Sequence, residues 1–314
     1  MAVAPRPRFL WKLHTRSLAL GERTRVVGVV NVTPDSFSDG GKFFSPASAV
    51  EHALRLLEEG ADILDIGGES TRPGTHPPVS AQQELDRILP VIEATLRERP
   101  DAILSIDTYK ATTARAAILA GAEIVNDVSG FLWDASMAAA CAELQCGVIL
   151  MHTRGRSNEW RSQPPLRHDE VLPLVLRELG ERARAAATAG VEQSRIVLDP
   201  GFGFGKSLEE NYPLLAHLEE LHALGYPVLA GPSRKSFLGK TLAEASPDQH
   251  GHTVPAERRG NATLAAITAA VLAGAHLVRV HDVAAAREAV AIADAIRAGS
   301  SQATDSKRKI DPGV

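Results

Sequence analysis

Asn31, Asp65, Asp107, Asn126 with Asp127, His152, Asp199, Ser233 with Lys235, and Arg279 with His281 stand at or just past the ends of short apolar runs. A single Asp in such a place is usually a helix N-cap or a turn residue, and Asp62 and Asp127 carry only that reading. Caps alone do not explain a polar residue recurring in nearly every unit. The residues divide by chemistry. Asn31, Thr71, Arg72, Arg279 and His281 are anion-binding types, suited to a phosphate or pyrophosphate. Asp107, Asn126, Asp199 and Lys235 supply carboxylate acceptors, an amide with both roles, and an ammonium. Such a set reads the edge of a flat heterocycle bearing amide and amine groups, with an Asp paired to a guanidine-like N–C–N.

The stretch "LDPGFGFGKS", 198–207, resembles a nucleotide phosphate loop. A Walker-type loop needs four residues between its first Gly and Gly-Lys-Ser, and that place is held by Pro200. The spacing fails. The stretch is expected to be a turn after a strand, with Asp199 as its chemical residue. Its glycines are expected to let the backbone pass close to a flat ring, with Phe202 and Phe204 as aromatic walls. Lys206 is expected to be a helix-start or surface lysine.

The elements that must position these residues alternate. Strand candidates lie at 25–31, 62–67, 102–107, 123–127, 147–152, 195–199, 227–231 and 277–281. Each is a continuous apolar run, as parallel strands covered on both faces require. The intervening segments have helical periodicity. In 45–60, Ala49, Ala53, Leu56 and Leu57 share a face, Ser45–Pro46 makes an N-cap with Pro at N1, and Gly60 stops the helix. Repeated βα units give a parallel sheet with right-handed crossovers. Eight of them, without a linker or composition shift, predict a single (β/α)8 barrel rather than an open doubly wound sheet with a second domain. Barrel enzymes keep their chemistry at the carboxyl ends of the strands, where the polar residues fall. The first and last strands are neighbours there, which joins the anion-binding types into one pocket. The loops after the first two strands, 31–44 and 67–80, are long enough to be lids. The expected division is an N-terminal extension over 1–24, the barrel over 25–298 and a polar tail over 299–314. Residues 244–260 read as an exposed insertion whose His250 and His252 are solvated.

At 314 residues the chain can bury a large core, and 44% hydrophobic against 23% charged residues makes it globular. A net charge of −4 argues against general nucleic-acid binding. Cys141 and Cys146 have neither metal nor redox spacing and read as buried thiols. No run is long and apolar enough for a membrane span, and the N-terminus lacks a signal-peptide pattern, so the cytoplasm is the expected compartment.

The blocks "GVVNVTPDSFSDGG" (28–41), "GADILDIGGESTRPG" (60–74), "SIDTYK" (105–110), "EIVNDVSG" (123–130), "LMH" (150–152), "LDPGFGFGKS", "GPSRKSFLG" (231–239) and "VRVHDV" (278–283) run in one order. Together they resemble the dihydropteroate synthase family, the sulfonamide targets of folate biosynthesis, over roughly residues 25–297. The resemblance implies a (β/α)8 barrel that joins 4-aminobenzoate to 6-hydroxymethyl-7,8-dihydropterin diphosphate, releasing pyrophosphate. It places the pterin against Asp107, Asn126, Met151, Asp199, Phe204, Gly231, Lys235 and Arg279. The diphosphate falls to Asn31, Thr71, Arg72, Arg279 and His281, with Mg2+ bridged near Asn31. The aminobenzoate site takes Arg72, Pro73, Phe202, Ser233 and Lys235. Asp107, Lys235 and Arg279 would be catalytic, with Asp35 and Phe37 closing over the amine. The implied mechanism is dissociative: diphosphate departs before the aryl amine attacks. A homodimer is also implied. The rival readings are a pterin-dependent methyltransferase-type barrel, which would lack the diphosphate set, and a non-catalytic pterin-binding paralogue. The intact "ESTRPG" favours activity.

Overall fold

Alternation along each strand sorts this chain into an inner and an outer hydrophobic layer. The computed structural model describes residues 3–33, 46–70, 79–245 and 253–308. Among them the parallel strands are β3 (Arg25–Asn31), β4 (Ile63–Gly67), β5 (Leu104–Asp107), β6 (Ile124–Asp127), β7 (Gly147–Met151), β8 (Ile196–Asp199), β9 (Leu229–Ala230) and β10 (Leu277–Val280). They lie in the order β8-β7-β6-β5-β4-β3-β10-β9. The ends of that sheet meet where the Leu198 amide donates to the Pro227 carbonyl at 2.9 Å and Leu198 bridges Val228. The expected (β/α)8 barrel is therefore what the chain forms.

Outward strand residues such as Val26, Leu64, Leu104, Val125, Val148, Leu198 and Val278 pack under the helices. Inward residues Val27, Ile63, Ile124, Ile149, Val197, Leu229 and Leu277 form a separate cluster low in the barrel. Above it the inward positions turn polar. The register places Asp65 beside Ser105, and Gly67 beside both Asn31 and Asp107, with Asp107 beside Asn126. The side-chain period of two thus carries β3, β4, β5, β6, β8 and β10 from an apolar floor to a polar mouth, while β7 ends at Met151 and β9 leads to Gly231.

The floor is closed by the N-terminal segment. β1 (Phe9–Lys12) and β2 (Ser17–Leu20) form an antiparallel hairpin. Trp11, Leu13 and Leu20 from it complete the inner cluster. The Trp11 indole donates to the Arg195 carbonyl at 2.8 Å, so residues expected as an extension are the plug of the barrel.

Helices follow the strands as the periodicity predicts. α1 (Pro46–Glu58) starts at its proline and buries Ala49, Ala53 and Leu56; Ser45 lies outside the described residues. Gly60 ends it at φ +97°, a conformation costly for any residue with a Cβ. α2 (Ala81–Glu98) opens with a capping box between Ser80 and Gln83. α3 (Ala111–Leu119), α4 (Met137–Leu144), α5 (His168–Thr188), α6 (Asn211–Ala216), α7 (Ser236–Glu244) and α8 (Gly260–Leu272) follow. α9 (Val283–Arg308) runs ten residues beyond the point where a tail was expected, because 299–308 lack a Gly or Pro stop after Gly299. Of the 244–260 insertion, 246–252, with His250 and His252, lies outside the described residues. Thr253, Pro255, Glu257 and Arg258 are exposed as expected, but Val254 is buried and the Arg259 guanidinium donates to the Val254 and Arg234 carbonyls at 2.7 Å each, which anchors this end to the barrel.

Candidate active site

The mouth of the barrel is built by inward residues at strand ends. Asp107 ends β5, Asp199 ends β8, Met151 ends β7, and Asn126 sits one residue before the end of β6. Arg279 lies on β10, and Gly231 directly follows β9. The guanidinium of Arg279 ties the group together, donating from Nε to Asp65 Oδ2 at 2.6 Å and from Nη2 to Asp107 Oδ2 at 2.7 Å. The Asn126 amide donates to the same Asp65 oxygen at 2.8 Å. A cation held by two carboxylates keeps its charge: burial works against the Arg279 guanidinium, but Asp65 and Asp107 outweigh it and raise its pKa.

The acceptors are tuned the other way. Burial lifts the Asp107 carboxyl to about 7; Arg279 and Lys235 oppose the shift, while Asp65 and Glu84 add to it. Burial lifts Asp199 to about 6, opposed first by the Gly201 amide, which donates to Asp199 Oδ1 at 2.7 Å. These two carboxyls sit where an amine-bearing ring could supply the N–H donors that favour their charged forms.

Lys235 precedes α7, and its ammonium lies 3.9 Å from the centroid of the Phe204 ring, within cation–π range. Its neighbour Arg234 is held at φ +55°, its amide donating to Thr263 Oγ1 at 3.0 Å and its carbonyl accepting from Arg259. Ser233 Oγ lies 3.0 Å from His281 Nδ1 and accepts from the His281 amide at 3.3 Å, linking the loops after β9 and β10. Asn31 ends β3, beside β10 and β4. Asp35, Phe37, Thr71, Arg72 and Pro73 lie outside the described residues.

Several expectations are corrected by these positions. Phe202 is 1% exposed and stacks on Phe237 in the core, with ring centroids 6.3 Å apart. It cannot line an aminobenzoate site there; of the two phenylalanines, Phe204 is the one beside Lys235. His152 and Asp127 face outward, since each follows an inward residue. His152 Nε2 lies 3.1 Å from Glu178 of α5. Asp127 accepts from the Ser129 amide and hydroxyl at 2.7 Å, the turn role expected of it.

Lys206 is neither a helix start nor a surface residue. It is 7% exposed, and its ammonium donates to the carbonyls of Gly201 at 2.8 Å, His152 at 3.3 Å and Phe204 at 3.4 Å. Two of the glycines around it are required by the protein's own backbone. A Cβ on Gly201 would stand 1.9 Å from the His152 carbonyl oxygen, and one on Gly205 would stand 2.7 Å from that of Arg154.

Asp65 is the residue to which sequence reasoning gave no role. Its signal was the alternation itself, two places before Gly67 on the inward face. A second cluster escaped as well. Lys110 pairs with Glu69 and with Glu84 (2.8 Å), and the Tyr109 hydroxyl and Val79 amide also donate to Glu69, at 3.2 and 3.3 Å. A recess of about 610 Å3 between α5 and α6, lined by Leu172, Pro173, Tyr212 and Ala216 among others, lies on the outer helical layer, away from the strand ends.

A closed parallel barrel with carboxylates, an amide, an arginine and a lysine converging at its carboxyl end defines an enzyme-type site for a flat, amine-bearing ring beside an anion. The chain belongs to the pterin binding enzyme family, whose profile matches residues 27–281. It is 42% identical to the dihydropteroate synthase of Bacillus subtilis over 273 residues, covering 86% of this chain and 88% of that one. Against the dihydropteroate synthase of Streptococcus pyogenes it is 45% identical over 267 residues, 85% of this chain and 93% of the other. The solved dihydropteroate synthase of Xanthomonas albilineans with 4-aminobenzoic acid superimposes with TM-score 0.81 at 44% identity, over 94% and 99% of the two chains. That of Yersinia pestis in a sulfonamide drug complex gives 0.83 at 40%, over 93% and 100%.

Proposed function

We propose that the chain is a dihydropteroate synthase of folate biosynthesis and that it works by a dissociative transfer at the barrel mouth. The synthase activity, a transferase reaction, rests on family membership and on the likeness to synthases along nearly the whole chain. One observation carries the mechanism: Arg279 is locked between Asp65 and Asp107 in the mouth.

The pterin edge lies against Asp107, Asn126 and Asp199, with Met151, Phe204 and Gly231 shaping the slot and Lys235 at its rim. Arg279 lies against the ring and, with His281, Asn31, Thr71 and Arg72, faces the diphosphate. The bond from the exocyclic carbon to the diphosphate oxygen breaks, and its electron pair leaves with the diphosphate. The positive charge left on that carbon spreads into the pterin and is stabilised by the Asp107 carboxylate nearby. The 4-aminobenzoate nitrogen, in a site that includes Pro73, Ser233 and Lys235, then forms the C–N bond with its lone pair and gives up its proton to the released diphosphate. Asp35 and Phe37 keep water from the cation.

No trio of His, Cys, Asp or Glu among the described residues could hold a metal. Mg2+ suits this site nonetheless, because it keeps most of its waters and needs few protein oxygens beside substrate phosphates. The Asn31 amide oxygen at the strand end fits that need, and a bound Mg2+ would neutralise charge on the departing diphosphate. The resemblance alone supports a cytoplasmic homodimer; among the described residues no helix is long and apolar enough to cross a membrane.

Supplying pterin diphosphate, Mg2+ and 4-aminobenzoate should give pyrophosphate and dihydropteroate in equal amounts. Folded protein that binds pterin without releasing pyrophosphate would instead be a non-catalytic paralogue. Arg279→Ala and Asp107→Asn should each lower kcat by about a hundredfold or more. Near-normal turnover in either would remove these residues from the reaction.

A further inference from the structure

Asp65 is fully buried, one inward step below the row that carries Asp107 and Asn126. Its Oδ2 is where two groups of the mouth meet, accepting from Asn126 Nδ2 at 2.8 Å and from Arg279 Nε at 2.6 Å. An amide is planar, so an Nδ2 pinned to a carboxylate fixes the direction in which its Oδ1 points, away from that carboxylate. Flipping the amide would set Oδ1 against the negative Asp65 oxygen and lose a charge-assisted hydrogen bond. The guanidinium is constrained in the same manner. Its Nε is held by Asp65 from below and its Nη2 by Asp107 from the side, which fixes the plane of the fork.

We propose that Asp65 is a positioning residue that orients the Asn126 amide and the Arg279 guanidinium, so that position 126 presents a hydrogen-bond acceptor to the substrate ring. Asp65 itself need not touch the substrate. The ring must then offer an N–H donor at that point of its edge, and a ring with a bare acceptor there is rejected. The inference rests on the pterin reading above and adds to it how one contact acquires its polarity.

The shared oxygen makes an exchange test available. Asp65→Asn loses the charge and sets an amide beside an amide. Asn126→Asp sets a carboxylate beside a carboxylate. The double variant restores the 65–126 hydrogen bond with its roles reversed, the new amide at 65 donating to the new carboxylate at 126, while Arg279 Nε gives up its acceptor at the shared position and keeps its hold on Asp107 through Nη2. Position 126 still shows an acceptor to the ring. Binding would be read by direct titration with pterin-6-carboxylate, which carries no diphosphate, and folding by thermal melts.

Each single variant is expected to bind this pterin roughly tenfold more weakly or worse, with the KM for 4-aminobenzoate held within about twofold. The double variant is expected to recover at least about fivefold over the weaker single. Additive losses, or an Asp65→Asn affinity equal to wild type, would overturn the proposal. If Asp65→Asn does not fold, the double variant must fold and bind better than Asn126→Asp, and no improvement overturns the idea equally. Pyrophosphate release by the wild type is measured alongside. Its absence with the exchange pattern intact would sink the synthase reading alone; normal turnover without the exchange pattern would sink this inference alone.

Discussion

At the scale of single residues, the site is governed by how far burial shifts its carboxyls. Asp107 at about 7 and Asp199 at about 6 are lifted from an ordinary value of 3.8 chiefly by burial. Ionised, each accepts N–H donors from a pterin edge on both oxygens and with charge assistance; protonated, it turns one of them into a donor. The sign for binding follows: affinity for a pterin is full above about pH 7 and is lost as the pH falls through about 7 and then about 6. Stability has the opposite sign, since the folded state binds more protons than the unfolded chain between 3.8 and these raised values. These groups therefore weaken the ligand-free fold as the pH rises through that window. Titrating a pterin without its diphosphate against pH checks the first statement, because no phosphate ionisation enters. Asp107→Asn should remove the upper step and leave the lower one. A flat wild-type profile across both values would mean that neither carboxylate meets the ring.

At the scale of elements, the loops after β7 and β8 behave as one piece. Lys206 gathers carbonyls from both, Arg154 donates to the Gly205 carbonyl at 3.2 Å, and the Gly203 amide donates to Asn211 at 2.7 Å. Burial pushes the Lys206 ammonium well below its usual pKa, and Arg182 and Arg154 add to this while Asp199 opposes it. Lys206→Met keeps the length and removes the donors. It should cost roughly 1–3 kcal/mol in denaturant unfolding, the range for leaving buried acceptors without their donor. It should also weaken pterin binding, because Phe204, whose carbonyl the lysine holds, is the partner of Lys235. Unchanged stability would show the cage to be dispensable. Here lies the division between what the sequence made legible and what it did not. Strand positions could be read within about two residues because parallel strands buried on both faces are uninterrupted apolar runs. The inward polar residues could be read because they break those runs at one end. The destination of Lys206, the burial of Phe202 and the hub at Asp65 could not. Each depends on which residues of distant strands come side by side, a matter of register that local pattern does not contain.

At the scale of the whole molecule, the barrel separates its tasks between two ends. Conserving a packed lower end is a matter of stability in this architecture, while the upper end carries the chemistry. The hairpin β1–β2 belongs wholly to the lower end: Trp11 is 1% exposed, packs with inward residues including Ile149, Val197 and Leu229, and spends its indole N–H on the Arg195 carbonyl. Glu123, at the entry to β6, is 2% exposed and accepts from the Thr15 amide at 2.7 Å and from Arg16 at 3.0 Å, which fastens the hairpin's turn to the barrel. Removing the indole leaves a large cavity beneath the apolar floor and a carbonyl without its donor. Trp11→Ala should therefore lower unfolding free energy by roughly 3–5 kcal/mol. A layer of inward apolar residues lies between Trp11 and the mouth, so turnover of the folded fraction should stay within about twofold of wild type. The two readouts separate the ends. A loss of kcat/KM much larger than the fraction unfolded by the same substitution would show that the plug sets the geometry of Asp65, Asp107 and Arg279 through the inner layer. A small stability loss would show that the hairpin merely lies against a barrel already closed without it.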